Sequence, residues 1–323
     1  MTMSPLLSRE QLHEAAERIR PFVHRTPVLT CGTIDRLLGA RLFFKCENFQ
    51  KVGAFKYRGA TNAVRSLDGM LAARGVATHS SGNHAAALAL AAALRGIPAH
   101  IVMPDNAPAI KKAAVAGYGA RITFCAPTLA AREETLAAVI ADSGATEVHP
   151  YNDVRIIAGQ ATAARELFED VPDLDVVMTP VGGGGLLSGT ALSAHYLSPG
   201  TAVIAAEPAG ADDAYRSFHA GHIIPSVHPR TIADGLLTSL GDNTFAVIRD
   251  HVRDILVVDD AHIIEAMRLV WERMKIVIEP SAAVPLAALL AGAMDCAGKR
   301  IGIIFSGGNC DLEQLPWMKE REA

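Results

Sequence analysis

Aromatic residues supply only 5% of this chain. It has no run of about 18 apolar residues, the length that a membrane-spanning helix needs. Met1 to Arg20 carries charges every few positions and lacks the apolar stretch of a signal peptide, so a cytoplasmic protein is expected. A surplus of basic charge is missing too: 30 Lys and Arg stand against 34 Asp and Glu, for a net charge of -4 and a pI of about 6.3. That balance offers no basic surface for nucleic acid or an anionic membrane. Cysteine is scarce, with Cys31, Cys46, Cys125, Cys296 and Cys310 scattered and odd in number. No CxxC pair occurs, so neither a disulfide framework nor a zinc site is indicated, and reduced, mostly buried thiols are expected. Repeats of fixed period and low-complexity segments are absent as well.

What the chain does have is apolar bulk. Half of its 323 residues are hydrophobic and a fifth are charged, enough to bury the core of one large or two medium domains. Short β-branched runs alternate with alanine-rich helical runs. The pattern predicts strands over Gly75–Ser80, Pro98–Met103, Arg121–Cys125, Val176–Val181, Thr201–Ala206 and Arg300–Phe305. Helices are predicted over Ala85–Leu94, Ile110–Ala116, Ala130–Ala141 and Leu186–Tyr196, with one more from an N-cap at Asp260 to near Lys275. Alternation of this kind implies an α/β fold with doubly wound, mostly parallel sheets covered on both faces. The tight βα units between Gly75 and Asp142 suggest a separate smaller domain.

Ligands of such sheets sit at the carboxyl ends of the strands. Three turns rich in Gly, Ser and Asn fall there: Ser80-Ser81-Gly82-Asn83-His84, Gly182-Gly183-Gly184-Gly185 and Ser306-Gly307-Gly308-Asn309. The tetraglycine lets backbone approach a phosphate, with helix N–H groups pointing at the anion. It also raises a dinucleotide alternative, with Glu207 as the acidic residue on the next strand, but Gly183, Gly185 and Gly189 miss the G-x-G-x-x-G spacing by one residue. The Ser80–His84 turn is either a helix N-cap with Ser or Asn capping, or a grip for a carboxylate. Lys56 lies in Ala54-Phe55-Lys56-Tyr57-Arg58-Gly59, where aromatic neighbours can desolvate the amine and make it a better nucleophile toward a carbonyl. Taken alone, it reads as a surface lysine.

Taken together, F-K-x-R-G, S-S-G-N-H, G-G-G-G and S-G-G-N in this order resemble the fold-type II pyridoxal-phosphate family, whose fold is that of the tryptophan synthase β subunit. The match is to its serine racemase, threonine dehydratase and 3-hydroxyaspartate ammonia-lyase group. The resemblance runs from Arg25-Thr26-Pro27 through Thr231-Ile232-Ala233-Asp234-Gly235 and Glu279-Pro280 to Asn309. It implies a discontinuous cofactor-binding domain over 1–65 and 152–323 and a small domain over 66–151 that carries the substrate-carboxylate turn.

It also implies roles. Lys56 would bind pyridoxal 5'-phosphate covalently and remove the substrate's α-proton, with Phe55 beside the ring. Gly182, Gly183, Gly184, Gly185 and Leu186 would hold the phosphate, Asn83 the 3′-oxygen and Ser306 the pyridine nitrogen. Ser80, Ser81, Gly82, Asn83 and His84 would take the substrate carboxylate, and Ser81 would exchange a proton on the face opposite Lys56. Arg132 and Thr238 match positions near the substrate, and Arg132 could pair with a second carboxylate. Glu207, Asp213 and the Ala211 carbonyl would ligate Mg²⁺ or Ca²⁺.

A serine at the ring nitrogen weakens the electron sink and favours expulsion of a β-hydroxyl. The resemblance therefore implies an ammonia-lyase acting on serine, threonine or 3-hydroxyaspartate, with racemisation alongside it or as the main activity. It also implies a homodimer. The chain ends at Ala323, soon after Asp311, so a catabolic enzyme without a regulatory domain is expected.

Overall fold

Alternating apolar and alanine-rich runs produce two separate sheets in the computed structural model, which describes residues 6–107 and 109–321. Residues 1–5, 322 and 323, the outer ends of the expected larger domain, lie outside the described residues, as does Pro108 of the smaller one. The strands are β1 (Val28–Leu29), β2 (Arg41–Cys46), β3 (Val76–His79), β4 (Ala99–Pro104), β5 (Arg121–Cys125), β6 (Thr146–Glu147), β7 (Val176–Pro180), β8 (Ala202–Pro208), β9 (Asp254–Val258) and β10 (Arg300–Phe305).

The six-stranded sheet has the order β1-β2-β10-β7-β8-β9, and the four-stranded sheet β5-β4-β3-β6. All pairings are parallel except β1 with β2. The parallel order is the physical reason for the apolar runs. β7 is buried at every position, and β10 at all but its first, because helices cover both faces. Alternate residues feed opposite cores: Ile301 and Ile303 pack with the helices Asp260–Met274 and Pro280–Leu290, while Ile304 packs with Val154–Asp170 and Gly185–Leu197.

Two expectations need correction. The helix after β9 is capped by Asp259, whose carboxylate accepts the His262 amide at 2.9 Å, and not by Asp260. Asp260 instead binds the Thr231 hydroxyl at 2.5 Å and the Ile232 amide at 3.0 Å, anchoring the loop that carries Asp234 and Gly235. Likewise, the Ser80–His84 turn is not a serine or asparagine cap: the N-cap is Gly82, with no side-chain bond to the helix. The five cysteines are free as expected, with Cys31, Cys46 and Cys296 buried. Among the described residues no helix is long and apolar enough to cross a membrane.

Candidate active site

Lys56 opens the helix Lys56–Ser66, just after residues that the turn following β10 holds in place. Ala54 bridges Gly307, the Phe55 amide donates to the Ser306 carbonyl at 3.0 Å, and the Gly308 amide donates to the Gly53 carbonyl at 2.9 Å. Residues some 250 positions apart in the chain are thereby laced into one wall. The Lys56 amine donates to the Pro150 carbonyl at 2.9 Å and lies 5.2 Å from the Phe55 ring centre. Burial pulls its pKa down to about 8, against the opposing pull of the Glu279 carboxylate.

Asn83 and Glu279 close the same wall. The Asn83 amide nitrogen donates to both Glu279 oxygens at 3.1 Å, and Asn309 donates to the Asn83 oxygen at 2.9 Å. One hydrogen of that amide serves the bifurcated contact, which leaves the other free for a ligand. Glu279 is 4% exposed, and burial lifts its pKa to about 7. Ser306 is 3% exposed. Its hydroxyl can donate to or accept from a ligand's ring nitrogen.

The glycine turn is built without room for side chains. A Cβ on Gly183 would lie 2.3 Å from the Tyr151 ring, and Gly184 sits at φ +87 against Thr244, Leu240 and Ile248. The Thr244 hydroxyl holds the Gly183 carbonyl at 2.9 Å. The helix Gly185–Leu197 starts with no side-chain cap, and the amides of Gly182 to Leu186 find no acceptor among the described residues. Such a set is matched to a phosphate. The helix Asn83–Arg95 is likewise uncapped, and the Asn83 and His84 amides have no protein acceptor among the described residues. Ser80 accepts the Gly82 amide at 3.4 Å, and the half-buried Ser81 hydroxyl is unbonded there.

His84 is 2% exposed, and its Nε2 meets the Val148 carbonyl at 3.1 Å. Burial, reinforced by the Lys56 charge, drives its pKa down to about 3, so it is a neutral donor. Its placement makes it a brace under the turn; a substrate would meet the turn's amides first.

Arg132 is half-buried and bonds only the Thr128 carbonyl, at 3.4 Å, with no carboxylate partner among the described residues. Its charge acts on His79 and Tyr151. Burial and the Asp213 carboxylate push the Tyr151 phenol up, against the influence of the exposed Thr238 nearby.

Glu207 is fully buried and accepts the Ala214 and Tyr215 amides at 3.1 and 2.9 Å. It is turned into the protein, which removes the ribose acceptor of the dinucleotide alternative. Asp213 is also fully buried, and among the described residues neither of its oxygens has a hydrogen-bond partner. Burial raises their pKa values to about 9 and about 6. Two buried carboxylates beside the buried Ala211 offer oxygen ligands of the kind a hard cation takes. Among the described residues no group of three or more His, Cys, Asp and Glu side chains is placed to hold a metal.

Sequence reasoning missed the segment that joins these parts. Val148 to Asn152 touches His84, Lys56 and Gly183 in turn. In the sequence Glu279 stands out only as half of a Glu-Pro pair, whereas its depth beside two asparagines gives it a role in the wall.

Residues 19–307 match the family model described as pyridoxal-phosphate dependent enzyme. The chain is 56% identical to a β-hydroxyaspartate dehydratase of Paracoccus denitrificans, over 95% of this chain and 98% of that one. It is 47% identical to an L-threo-3-hydroxyaspartate ammonia-lyase of Saccharomyces cerevisiae, over 93% of each. Its fold superposes on maize serine racemase with a TM-score of 0.93 at 48% identity, over 97% of this chain and 96% of that structure.

Proposed function

Because this chain belongs to the pyridoxal-phosphate-dependent enzyme family, we propose that it eliminates water and then ammonia from a small β-hydroxy amino acid, with 3-hydroxyaspartate preferred. The observation that carries this reading is the setting of Lys56, a desolvated amine between two helix starts whose amides lack protein acceptors. When bound, the cofactor supplies a sink for the electron pair left as the α-proton departs. On this reading Gly182, Gly183, Gly184, Gly185 and Leu186 hold its phosphate, Phe55 flanks its ring, Asn83 meets the 3′-oxygen and Ser306 the ring nitrogen. The same reading assigns residues 1–65 and 152–323 to the cofactor-binding domain and 66–151 to the smaller one.

Lys56 acts as the base. With a pKa of about 8, a useful fraction of the amine is neutral near pH 7.5. The Ser80–His84 turn receives the α-carboxylate on its free amides. Ser306 donates or accepts one hydrogen bond but cannot hold a ring nitrogen charged as a carboxylate would. That favours loss of the β-hydroxyl together with the α-proton. Arg132, lacking an acidic partner, receives a second carboxylate, and the two hydroxyaspartate-named relatives support that choice.

Ser81 favours a second reading, in which serine racemisation is the main activity. Its unbonded hydroxyl is free to exchange a proton opposite Lys56, and the likeness to maize serine racemase supports this. A Mg²⁺ or Ca²⁺ at Glu207, Asp213 and the Ala211 carbonyl is part of the proposal, supported by the unpartnered Asp213 oxygens. So are a homodimer, which light scattering would register as twice the chain mass of 34.1 kDa, and a cytoplasmic home for its free thiols.

The test is oxo-acid release from L- and D-serine, L-threonine and the hydroxyaspartate isomers, by the cofactor-loaded enzyme with and without Mg²⁺. Release should be fastest from a hydroxyaspartate. A panel without any oxo acid rules out elimination, and a panel led by L-serine overturns the substrate preference. Arg132→Leu should raise the hydroxyaspartate KM roughly 10- to 100-fold, as expected for one lost charge-assisted hydrogen bond, and leave the serine KM nearly unchanged. Equal losses on both substrates would exclude a second-carboxylate role.

A further inference from the structure

Five consecutive residues, Val148 to Asn152, contact His84, Lys56 and the glycine turn and its support. The Val148 carbonyl meets His84 at 3.1 Å, and the Pro150 carbonyl accepts the Lys56 amine at 2.9 Å. The Tyr151 ring occupies the space that a side chain on Gly183 would need. The Asn152 side-chain oxygen accepts the Asn243 amide at 2.9 Å, next to the Thr244 that holds Gly183. Only its first residue is tied to a strand, the Val148 amide donating to the Ala77 carbonyl of β3 at 2.9 Å. β6 ends at Glu147, and the next helix begins at Val154.

His149 shapes it. Its Nδ1 accepts the Asn152 amide at 2.9 Å and the Tyr151 amide at 3.3 Å, so one nitrogen closes the turn. An accepting Nδ1 fixes the tautomer, with the proton on Nε2. The ring is held edge-on by Tyr151, at 4.6 Å and 89°, and by His79, at 6.5 Å and 86°. The groups facing it are His79, Lys56 and Asp153. Burial, then His79 and Lys56, lower its pKa to about 4 against the pull of Asp153, so the acceptor persists at neutral pH.

We propose that His149 is a positioning residue for Lys56. By accepting the Tyr151 and Asn152 amides, it sets the Pro150 carbonyl against the amine and the Tyr151 ring against the glycine turn. The amine and the anion-binding turn thereby keep one fixed spacing. The inference rests on the reading of Lys56 as the cofactor-binding amine, and it adds a residue that acts on that amine only through the backbone.

His149→Asn and His149→Leu test it in the pyridoxal-phosphate-loaded enzyme. The asparagine oxygen stands at the same distance along the side chain as Nδ1, whereas leucine keeps bulk and removes the acceptor. His149→Asn should retain kcat within about threefold, whereas His149→Leu should lose roughly 10- to 100-fold in kcat, the effect of one or two amides left without an acceptor. The leucine variant should also shift the pH at which kcat/KM rises and the position of the visible cofactor band, with asparagine restoring both. If His149→Leu does not fold, His149→Gln, with its oxygen one carbon farther out, should give the same losses. Equal loss in the asparagine and leucine variants, or no loss in either, overturns the proposal. Lys56→Ala, run alongside, separates the two claims: if it stays active, the reading of Lys56 fails, and if it is dead while His149→Leu is unimpaired, only the positioning role fails.

Discussion

Lys56→Ala should lower oxo-acid release by about 10³-fold or more and abolish the visible band of the cofactor-loaded enzyme, with little change in melting temperature. The fold should survive because the amine makes one protein hydrogen bond, to Pro150, and the helix it opens is held by Arg58 and Asn62 farther along. The band is the sharper readout, since it reports the covalent attachment directly. Full activity or an intact band in the alanine variant would disprove the assignment. A pH dependence accompanies it. Only the neutral amine attacks an aldehyde, so capture of added pyridoxal phosphate should accelerate as pH rises through about 8 and then level off. At pH 7.5 an amine of that pKa is about a quarter neutral, against about one part in a thousand for an ordinary lysine. A rising limb near pH 10 would mean that the amine is not desolvated.

Arg58→Leu should destabilise the protein by about 3–5 kcal/mol, because it strands the buried Glu47 carboxylate and leaves Glu166 to Lys45 alone among the described residues. Arg58 is fully buried and grips Glu47 with two bonds, at 2.7 and 2.9 Å, and Glu166 with two more, at 2.8 and 2.9 Å. Lys45, also fully buried, donates to Glu166 at 2.7 Å and to the Thr26 carbonyl at 2.7 Å. Leucine would leave Glu47 with only the Thr26 hydroxyl, at 2.6 Å. The melting temperature should fall by roughly 5–15 °C. Arg58→Lys should recover little of this, since an ammonium cannot reproduce two paired forks. Adding Glu47→Gln to Arg58→Leu should restore part of the loss, because it removes the charge that has become unpaired. If the double variant melts no higher than the single one, the cost lies in lost packing and not in buried charge. Arg58 lies two residues after Lys56 on the same helix, so cofactor binding should weaken along with stability.

The three ligand-facing turns were legible in the sequence because glycine, serine and asparagine at strand ends have few other reasons to cluster. The strands Arg121–Cys125 and Arg300–Phe305 were legible for a related reason: a short apolar run between turn residues has one comfortable state. Lys45, Glu47, Arg58 and Glu166 were not. Each looks like a surface residue, and their placement depends on partners more than 100 positions away. Lys45 even breaks the apolar run of β2, which hides that strand from a pattern search. Val148–Asn152 escaped for the opposite reason, since it has no periodicity, and its importance comes entirely from what packs around it. Asp259 and Asp260 show the limit at single-residue scale: either could cap the helix, and the choice was made by a loop bonded to Asp260 from elsewhere in the chain.

The place of β10 sets the order in which this protein can be made. It is the last of the ten described strands to be made, yet it sits between β2 and β7, and its exit turn carries Ser306 and the carbonyl that anchors Phe55. Until it arrives, β2 and β7 have no common neighbour, and their facing edges are open to other chains. The four-stranded sheet, built from residues between Val76 and Glu147, can close long before that. Lys56 gains its completed surroundings only when Ser306, some 250 residues later in the chain, has been made. A nascent chain is thus unable to form the finished cofactor cradle, and truncation before Arg300 should leave an aggregation-prone product with an intact small sheet.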